Sequence, residues 1–283
     1  MATILSRFAV IISGFAFFAA CKKDSGSGSS GRVLDSTSNN EIVETQQPTL
    51  RAVTHHINDA IGGFYEILPS MYHQTNKQYP VLISLHGGGQ LGNGSSDLPL
   101  LLNDGVPQLI ARKTFPPNFN VKGKNFSFVI LSPQFSYIPT NKDVKDFINY
   151  VKSHYRMDPS RFYMTGLSMG GIVLTDVASE NSSEFAAIVP MSGAISDSSI
   201  VRKCLNIAQS KLPVWAFHNS DDPKVNSNGT VKFVQLINSY EAAIPAKLTI
   251  FQSPEHDAWT KAIDPAYREN NMNIFEWMLQ YSR

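Results

Sequence analysis

The chain has 283 residues, a formal net charge of +1, seven histidines and only two cysteines. This length fits one large domain, and a net charge near zero without a basic cluster argues against nucleic-acid binding. With so few cysteines the fold cannot rest on a disulfide framework, so its stability must come from an apolar core.

The first twenty residues have the composition of a secretory signal. Arg7 precedes an apolar run over residues 8–20, which is too short to span a bilayer comfortably as a helix. The run ends in Phe-Ala-Ala before Cys21, and this end resembles a bacterial lipobox, in which the cysteine is lipidated and becomes the new N-terminus. The resemblance implies a lipid-anchored protein of the bacterial cell envelope. Lys22 is typical of an outer-membrane destination, and with the two residues after it resembles, in part, a surface-export signal. The alternative is an ordinary cleaved signal peptide.

Residues 25–31 are all serine or glycine, and the chain stays polar to residue 47. Such a composition buries too little apolar surface to order itself. We therefore predict a signal peptide over residues 1–20, a lipidated Cys21 with a flexible tether over residues 21–50, and one folded domain over residues 51–283.

Within that domain, short apolar runs alternate with segments of helical periodicity. Apolar side chains at positions 144, 147, 148 and 151 predict a helix that begins at a capping box formed by Thr140 and Asp143. The apolar runs predict six buried parallel strands, at residues 81–85, 128–131, 162–165, 186–190, 214–217 and 248–251. The expected fold is a doubly wound, predominantly parallel α/β sheet, to which residues 64–68 add an antiparallel edge.

The first of these strands runs into His86-Gly87-Gly88-Gly89. An acyl-transfer enzyme needs backbone N–H groups directed at a developing oxyanion, and Gly88 is the candidate for one of them. By itself a glycine-rich segment is also typical of an ordinary turn.

The third strand leads directly into Gly166-Leu167-Ser168-Met169-Gly170, and a helix-compatible stretch follows. This is the pattern of a nucleophile elbow, where a strained turn presents the serine and glycines leave room for the strand and the helix. Ser168 is the candidate nucleophile, and the N–H of Met169 is the second candidate oxyanion donor. The pentapeptide alone also arises by chance, so the interpretation depends on its context.

An acidic loop with Asp221 and Asp222 follows the fifth strand. A carboxylate at the C-terminal end of a strand can orient a histidine and stabilise its imidazolium. Asp222 is favoured because Pro223 rigidifies the loop behind it, while Asp221 remains open as a turn residue or as the acid.

The last strand delivers His256, the only one of the seven histidines that follows the candidate acid. It is the candidate general base, although a histidine is more often structural than catalytic. Trp259, three residues later, is either a rim residue that stacks on a sugar or an aromatic acyl group, or a packing residue that holds the histidine loop. The usual burial of large aromatic side chains favours packing.

From about residue 64 to the C-terminus, these motifs resemble the α/β-hydrolase superfamily. Within it, they resemble lidless serine esterases related to feruloyl and acetylxylan esterases, poly(3-hydroxybutyrate) depolymerases and prolyl-oligopeptidase-like peptidases. The resemblance implies an α/β-hydrolase catalytic domain that uses Ser168, His256 and Asp222 and needs no metal or organic cofactor. One departure is Asn219, where the related pattern usually has glycine; asparagine tolerates left-handed backbone angles.

Only about 20 residues, 193–212, separate the strand after the elbow from the next one, which leaves room for little more than one crossover helix and for no large lid domain. An open site on a membrane-tethered enzyme suits acetyl or feruloyl groups on a polysaccharide. We therefore predict a serine esterase that acts on acylated polysaccharide or small esters. A peptidase or a polyester depolymerase stays open, and so does a non-catalytic surface binding protein.

Overall fold

The computed structural model describes residues 42–193 and 198–283, which belong to one structural unit within residues 34–283. Cys21 and the serine- and glycine-rich segment lie outside the described residues, so lipidation and the tether stay predictions. Within the described part of the chain, no helix combines the length and the apolar character needed to cross a bilayer.

Folded structure is already present a few residues before residue 51, where the predicted catalytic domain begins. The first strand begins at Thr49, and Glu44 is already buried. The Glu44 carboxylate accepts hydrogen bonds from Ser70 Oγ at 2.5 Å and from the Met71 N–H at 3.0 Å. The polar composition of this segment conceals the boundary, because here a carboxylate and not an apolar side chain makes the contact.

Ten strands are present in the described residues: β1 (Thr49–Asn58), β2 (Ile61–Leu68), β3 (Tyr79–Leu85), β4 (Phe119–Val121), β5 (Lys124–Phe126), β6 (Val129–Phe135), β7 (Met157–Leu167), β8 (Ala187–Met191), β9 (Trp215–Asn219) and β10 (Lys247–Phe251). Eight of them form one sheet in the order β1-β2-β6-β3-β7-β8-β9-β10, and β4 pairs with β5 separately. The six strands from β6 to β10 in this order are parallel, whereas β1 and β2 are antiparallel additions.

The predicted parallel strands are all confirmed, but the predicted antiparallel edge is not at the edge. Residues 64–68 lie in β2, which pairs with β6 on one side and with β1 on the other. Strand β1 was missed because it is partly or fully exposed along its length. A strand without a buried face carries no apolar run that a sequence pattern could detect.

Helices cover both faces of the sheet: α1 (Gly105–Ala111), α2 (Asn141–His154), α3 (Met169–Glu180), α4 (Ile200–Gln209), α5 (Ser227–Ser239), α6 (Trp259–Ala262) and α7 (Ile274–Leu279). Helices α2 to α5 pack in one apolar core, and α1, α6 and α7 pack in the other. Helix α2 begins as predicted, since the Thr140 N–H donates to Asp143 Oδ2 at 2.9 Å and the Asp143 N–H donates to Thr140 Oγ1 at 3.3 Å. The doubly wound, mainly parallel α/β architecture is confirmed.

The parallel strands direct their C-terminal ends to one edge of the sheet, where open α/β sheets bind ligands. Strand β3 ends at the His86 turn, β7 ends at Ser168, β9 leads to Asp222 and β10 leads to His256. The topology therefore gathers the four predicted motifs at this edge, although they are far apart in the sequence.

Candidate active site

Ser168 lies in a sharp turn between β7 and α3. Its backbone angles are φ 52° and ψ −118°, a conformation that L-residues rarely adopt and that often marks a functional site. The two flanking positions must be glycine because a side chain would not fit there. A Cβ on Gly166 would lie 2.3 Å from the Gly170 carbonyl oxygen, and one on Gly170 would lie 2.5 Å from that of Leu85. The close approach of strand and helix therefore excludes side chains at both positions.

Ser168, His256 and Asp222 form one hydrogen-bonded row. His256 Nε2 lies 2.8 Å from Ser168 Oγ, and His256 Nδ1 lies 2.6 Å from Asp222 Oδ2. Because a carboxylate can only accept, Nδ1 carries the proton of the neutral ring, which leaves Nε2 free to accept the serine proton. The Asp222 side chain is fully buried, whereas 11% of the His256 side chain is exposed. Chemically, this arrangement can activate a hydroxyl as a nucleophile.

The loop after β9 holds Asp222 in its charged form. Asp222 Oδ1 accepts hydrogen bonds from the N–H groups of Lys224 at 2.8 Å and Val225 at 3.0 Å. Burial alone would raise the pKa of Asp222, but the hydrogen bonds from Val225, His256 and Lys224 hold that pKa below its ordinary value. Asp221 is exposed, and its carboxylate accepts a hydrogen bond from the neighbouring Ser220 Oγ at 2.7 Å. The structure thus brings Asp222, and not Asp221, to the histidine.

Two side chains that were not predicted as site residues hold the histidine loop. Asn219 Nδ2 donates to the Glu255 carbonyl at 2.8 Å, and Ser192 Oγ donates to the His256 carbonyl at 2.9 Å. Asn219 does not adopt a left-handed conformation: it is the last residue of β9, and its φ is not positive. Ser192 has the positive φ instead, at 47°. No sequence pattern marks Ser192, because its role depends on a contact 64 residues away.

The two predicted oxyanion donors are placed at the starts of helical segments. Gly88 begins a short 3₁₀ turn, Gly88–Gln90, and Met169 begins α3 directly after Ser168. The first N–H groups of a helix have no intrahelical acceptor, so both groups can bind a ligand. Gly88 is exposed, whereas the Met169 side chain packs against the core. Met169 can therefore contribute only its main chain.

His86 supports the turn at residues 87–90 through both of its ring nitrogens. The His86 Nδ1–H donates to the Gly87 carbonyl at 2.7 Å, and the Phe135 N–H donates to His86 Nε2 at 2.9 Å. Both ring nitrogens are satisfied only when the ring is neutral. Burial lowers the pKa of His86 to about 4, although the Gly87 carbonyl opposes this.

We expect this histidine to couple stability to pH. An unfolded histidine titrates near pH 6.5, so between about pH 6.5 and 4 the unfolded chain binds a proton that folded His86 does not. The contribution to stability is complete above pH 6.5 and is lost as pH falls toward 4, by on the order of 3 kcal/mol. Urea unfolding across this range should show a shallower loss of stability in His86→Asn than in the wild type. Parallel curves for the two proteins would rule out the coupling.

The row opens into a cleft of about 410 Å³. Its lining combines the three glycines after His86, polar side chains and the Ser168–His256 pair: Gly87, Gly88, Gly89, Gln90, Asn103, Asp104, Leu167, Ser168, Lys224, His256 and Trp259. No cluster of three or more metal-ligating side chains occurs among the residues that the structure describes.

Trp259 lies in this lining but is only 8% exposed. Its Nε1–H donates to Asp104 Oδ1 at 3.1 Å, and its ring meets that of His256 edge-on, with centroids 5.1 Å apart. Trp259 thus joins the histidine loop to the segment before α1. These contacts agree with the packing alternative. The rim alternative, in which Trp259 stacks on the substrate, stays open because Trp259 also lines the cleft.

Comparison with known proteins places the fold. The model of the Phospholipase/Carboxylesterase family matches residues 69–268, well over half of the chain. No curated protein matches the sequence significantly. A thermostable esterase shares 20% identity over 84% of this chain and 64% of its own, with a TM-score of 0.55.

Two further structures are similar at lower identity. A ferulic acid esterase from the anaerobic fungus Anaeromyces mucronatus shares 16% identity over 78% of this chain and 91% of its own, with a TM-score of 0.52. An acylaminoacyl peptidase from Pyrococcus horikoshii shares 14% identity over 75% of this chain, with a TM-score of 0.51. This chain spans 64% of the length of the thermostable esterase and 38% of that of the peptidase.

The sheet, the elbow and these similarities define an α/β-hydrolase, which confirms the expected fold. The chain belongs to the phospholipase/carboxylesterase family.

Proposed function

We propose that this protein is a serine esterase that cleaves carboxylic esters through an acyl-enzyme. The observation that carries the proposal is the row Ser168–His256–Asp222, with its serine strained at the elbow and facing a cleft. A protein that only binds a ligand has no evident need for a serine, a histidine and an aspartate joined by hydrogen bonds.

In the proposed reaction, His256 Nε2 takes the proton of Ser168 Oγ while Oγ attacks the ester carbonyl carbon. The carbonyl oxygen becomes an oxyanion, and the N–H groups of Met169 and Gly88 stabilise it, each by roughly 3 kcal/mol of barrier. The buried Asp222 carboxylate stabilises the imidazolium, which then protonates the leaving alkoxide. A water molecule then attacks the acyl-enzyme with His256 as the base, which releases the carboxylic acid and restores Ser168.

For the substrate, we propose acetyl or feruloyl groups on a polysaccharide. Asn103, Asp104 and Lys224 offer donors and acceptors around the cleft for sugar hydroxyl groups. Gly88 and Gly89 leave the rim exposed. A ferulic acid esterase shares the fold, and so does an acylaminoacyl peptidase, so peptide cleavage is the alternative that the test must separate.

A substrate panel tests this proposal. Acetylated and feruloylated xylan fragments, p-nitrophenyl acetate and longer acyl esters, and short acylated peptides would be compared by kcat/KM. We expect the highest value on an acylated oligosaccharide and a steep fall as the acyl chain lengthens beyond the cleft. A peptide cleaved faster than every ester would contradict the proposal.

Trp259→Ala, tested in the same assay, addresses the role of the tryptophan. Loss of its packing and of its hydrogen bond to Asp104 should cost roughly 3 to 5 kcal/mol of stability. We expect a lower melting temperature and equal losses of kcat/KM on a small acetyl ester and on an acylated oligosaccharide. The exposed Tyr137 provides the control, since Tyr137→Ala should leave stability unchanged. A loss confined to the oligosaccharide, with normal stability, would instead identify Trp259 as a sugar platform.

We also propose that lipid on Cys21 anchors the protein in the bacterial cell envelope, at the outer membrane and exposed at the surface. Two or more acyl chains give stable membrane attachment, whereas one gives only marginal binding. Cys21→Ser should therefore move the protein from the membrane fraction to the soluble fraction or leave an unprocessed precursor. Cys204→Ser is the control, since that buried thiol is no candidate for lipidation. Unchanged fractionation, together with absent palmitate labelling of the wild type, would refute lipidation.

A further inference from the structure

His218 is a second histidine on the carboxylate of Asp222. It is the penultimate residue of β9, and its side chain is fully buried. His218 Nε2 lies 3.1 Å from Asp222 Oδ2 and 2.9 Å from the Val225 carbonyl oxygen. His218 Nδ1 lies 2.7 Å from Thr230 Oγ1, on α5. Neither the predicted motifs nor the proposed reaction uses this residue.

The hydrogen-bond partners determine where the proton of His218 lies. A carboxylate and a carbonyl both only accept, so Nε2 must carry a hydrogen. Burial lowers the pKa of His218, against the opposing effects of Val225 and Asp222, so the ring is neutral and Nδ1 accepts. Because Nδ1 of this tautomer carries no hydrogen, the Thr230 hydroxyl is the donor in the contact with Nδ1, and its one hydrogen is shared with the Gly193 carbonyl at 3.0 Å.

Asp222 Oδ2 therefore faces two imidazoles. It accepts from His256 Nδ1–H at 2.6 Å, and it shares the single hydrogen on His218 Nε2, 3.1 Å away, with the Val225 carbonyl at 2.9 Å. We propose that His218 is a positioning residue, whose Nε2–H fixes the Asp222 carboxylate and limits how strongly that carboxylate holds the proton of His256. This inference rests on the proposed function, because it requires His256 to act as the base.

Few other groups near Asp222 and His218 could change how strongly the Asp222 carboxylate holds the proton of His256. On β9 and its following loop, Asp222 meets His218 and the N–H groups of Lys224 and Val225. From the loop after β10, it meets His256. From α5, the neutral Thr230 faces His218. The Lys224 ammonium is on an exposed residue at the cleft rim.

The experiment is the pH dependence of kcat/KM on a soluble acetyl ester, measured with the full-length protein. Without its donor from His218, Asp222 attracts the imidazolium proton of His256 more strongly. In His218→Leu we expect the midpoint of the acid limb to move up by about half a pH unit. We also expect kcat to fall about tenfold at unchanged KM, because a less constrained carboxylate orients His256 less well. His218→Gln, which keeps an N–H donor, should bring both the midpoint and kcat most of the way back to the wild-type values.

Phe217→Leu is the matched control, because it alters the neighbouring buried position of β9 without touching Asp222. It should lower the melting temperature and leave the midpoint in place. If His218→Leu lowers stability as the control does but leaves the midpoint unchanged, His218 is merely structural. If His218→Leu does not fold, His218→Phe replaces it, because it keeps a ring at this position and removes the N–H donor; an unchanged midpoint there, with kcat also unchanged, would overturn the inference. Ser168→Ala in the same assay separates the two proposals, since full activity in that variant would refute the proposed function itself.

Discussion

Ser168→Ala and His256→Ala are each expected to lower kcat/KM on a small soluble ester by a factor of at least about 10⁴. The alanine at 168 removes the attacking oxygen, and the alanine at 256 removes the base 2.8 Å from it. Initial rates at saturating and subsaturating ester give kcat and KM separately. The loss should fall on kcat, because neither group is needed to bind the substrate.

The double variant gives the more specific result. Because the serine and the base act as one unit, removing both should be little worse than removing either. Ser153→Ala and His154→Ala serve as controls, since both residues are exposed on α2 and should retain wild-type rates. Independent losses that multiply in the double variant would contradict the assignment of the two residues to one catalytic unit.

The second large effect is expected at the acid. Asp222→Asn should lower kcat by about 10⁴, because the amide presents a donor to His256 Nδ1 and favours the wrong tautomer. Asp221→Asn should leave kcat nearly unchanged, because Asp221 is exposed and its carboxylate bonds Ser220 rather than the histidine. The same ester assay measures both variants, and circular dichroism checks that both fold. A larger loss at Asp221 than at Asp222 would move the acid by one position.

Much of the fold was predictable because buried parallel strands must be apolar on both faces. The six such runs in the sequence all became parallel strands of the sheet. The capping box at Thr140 likewise marked the start of α2, because its signal lies within four residues. By contrast, β1 is an exposed edge strand, and Glu44 is held by polar contacts. Neither leaves a local apolar pattern.

The same distinction applies to the site. Ser168 directly follows β7, and Asp222 and His256 lie in the loops after β9 and β10, so strand prediction and chain order were enough to nominate them as candidates. The residues that support them were not predictable in this way. Asn219 and Ser192 bond main-chain carbonyls of the histidine loop, and His218 bonds the acid. These contacts depend on how neighbouring strands and loops pack, and a single sequence does not encode that packing in any short motif.

The most direct measurement of the central claim is labelling with a fluorophosphonate probe, followed by mass spectrometry of the labelled peptide. An activated serine attacks the phosphorus, whereas an ordinary serine hydroxyl does not react appreciably. The account predicts one adduct per chain, on Ser168, with esterase activity lost in proportion to labelling, and no adduct in His256→Ala. An adduct on a different serine, or full activity after complete labelling of Ser168, would contradict it.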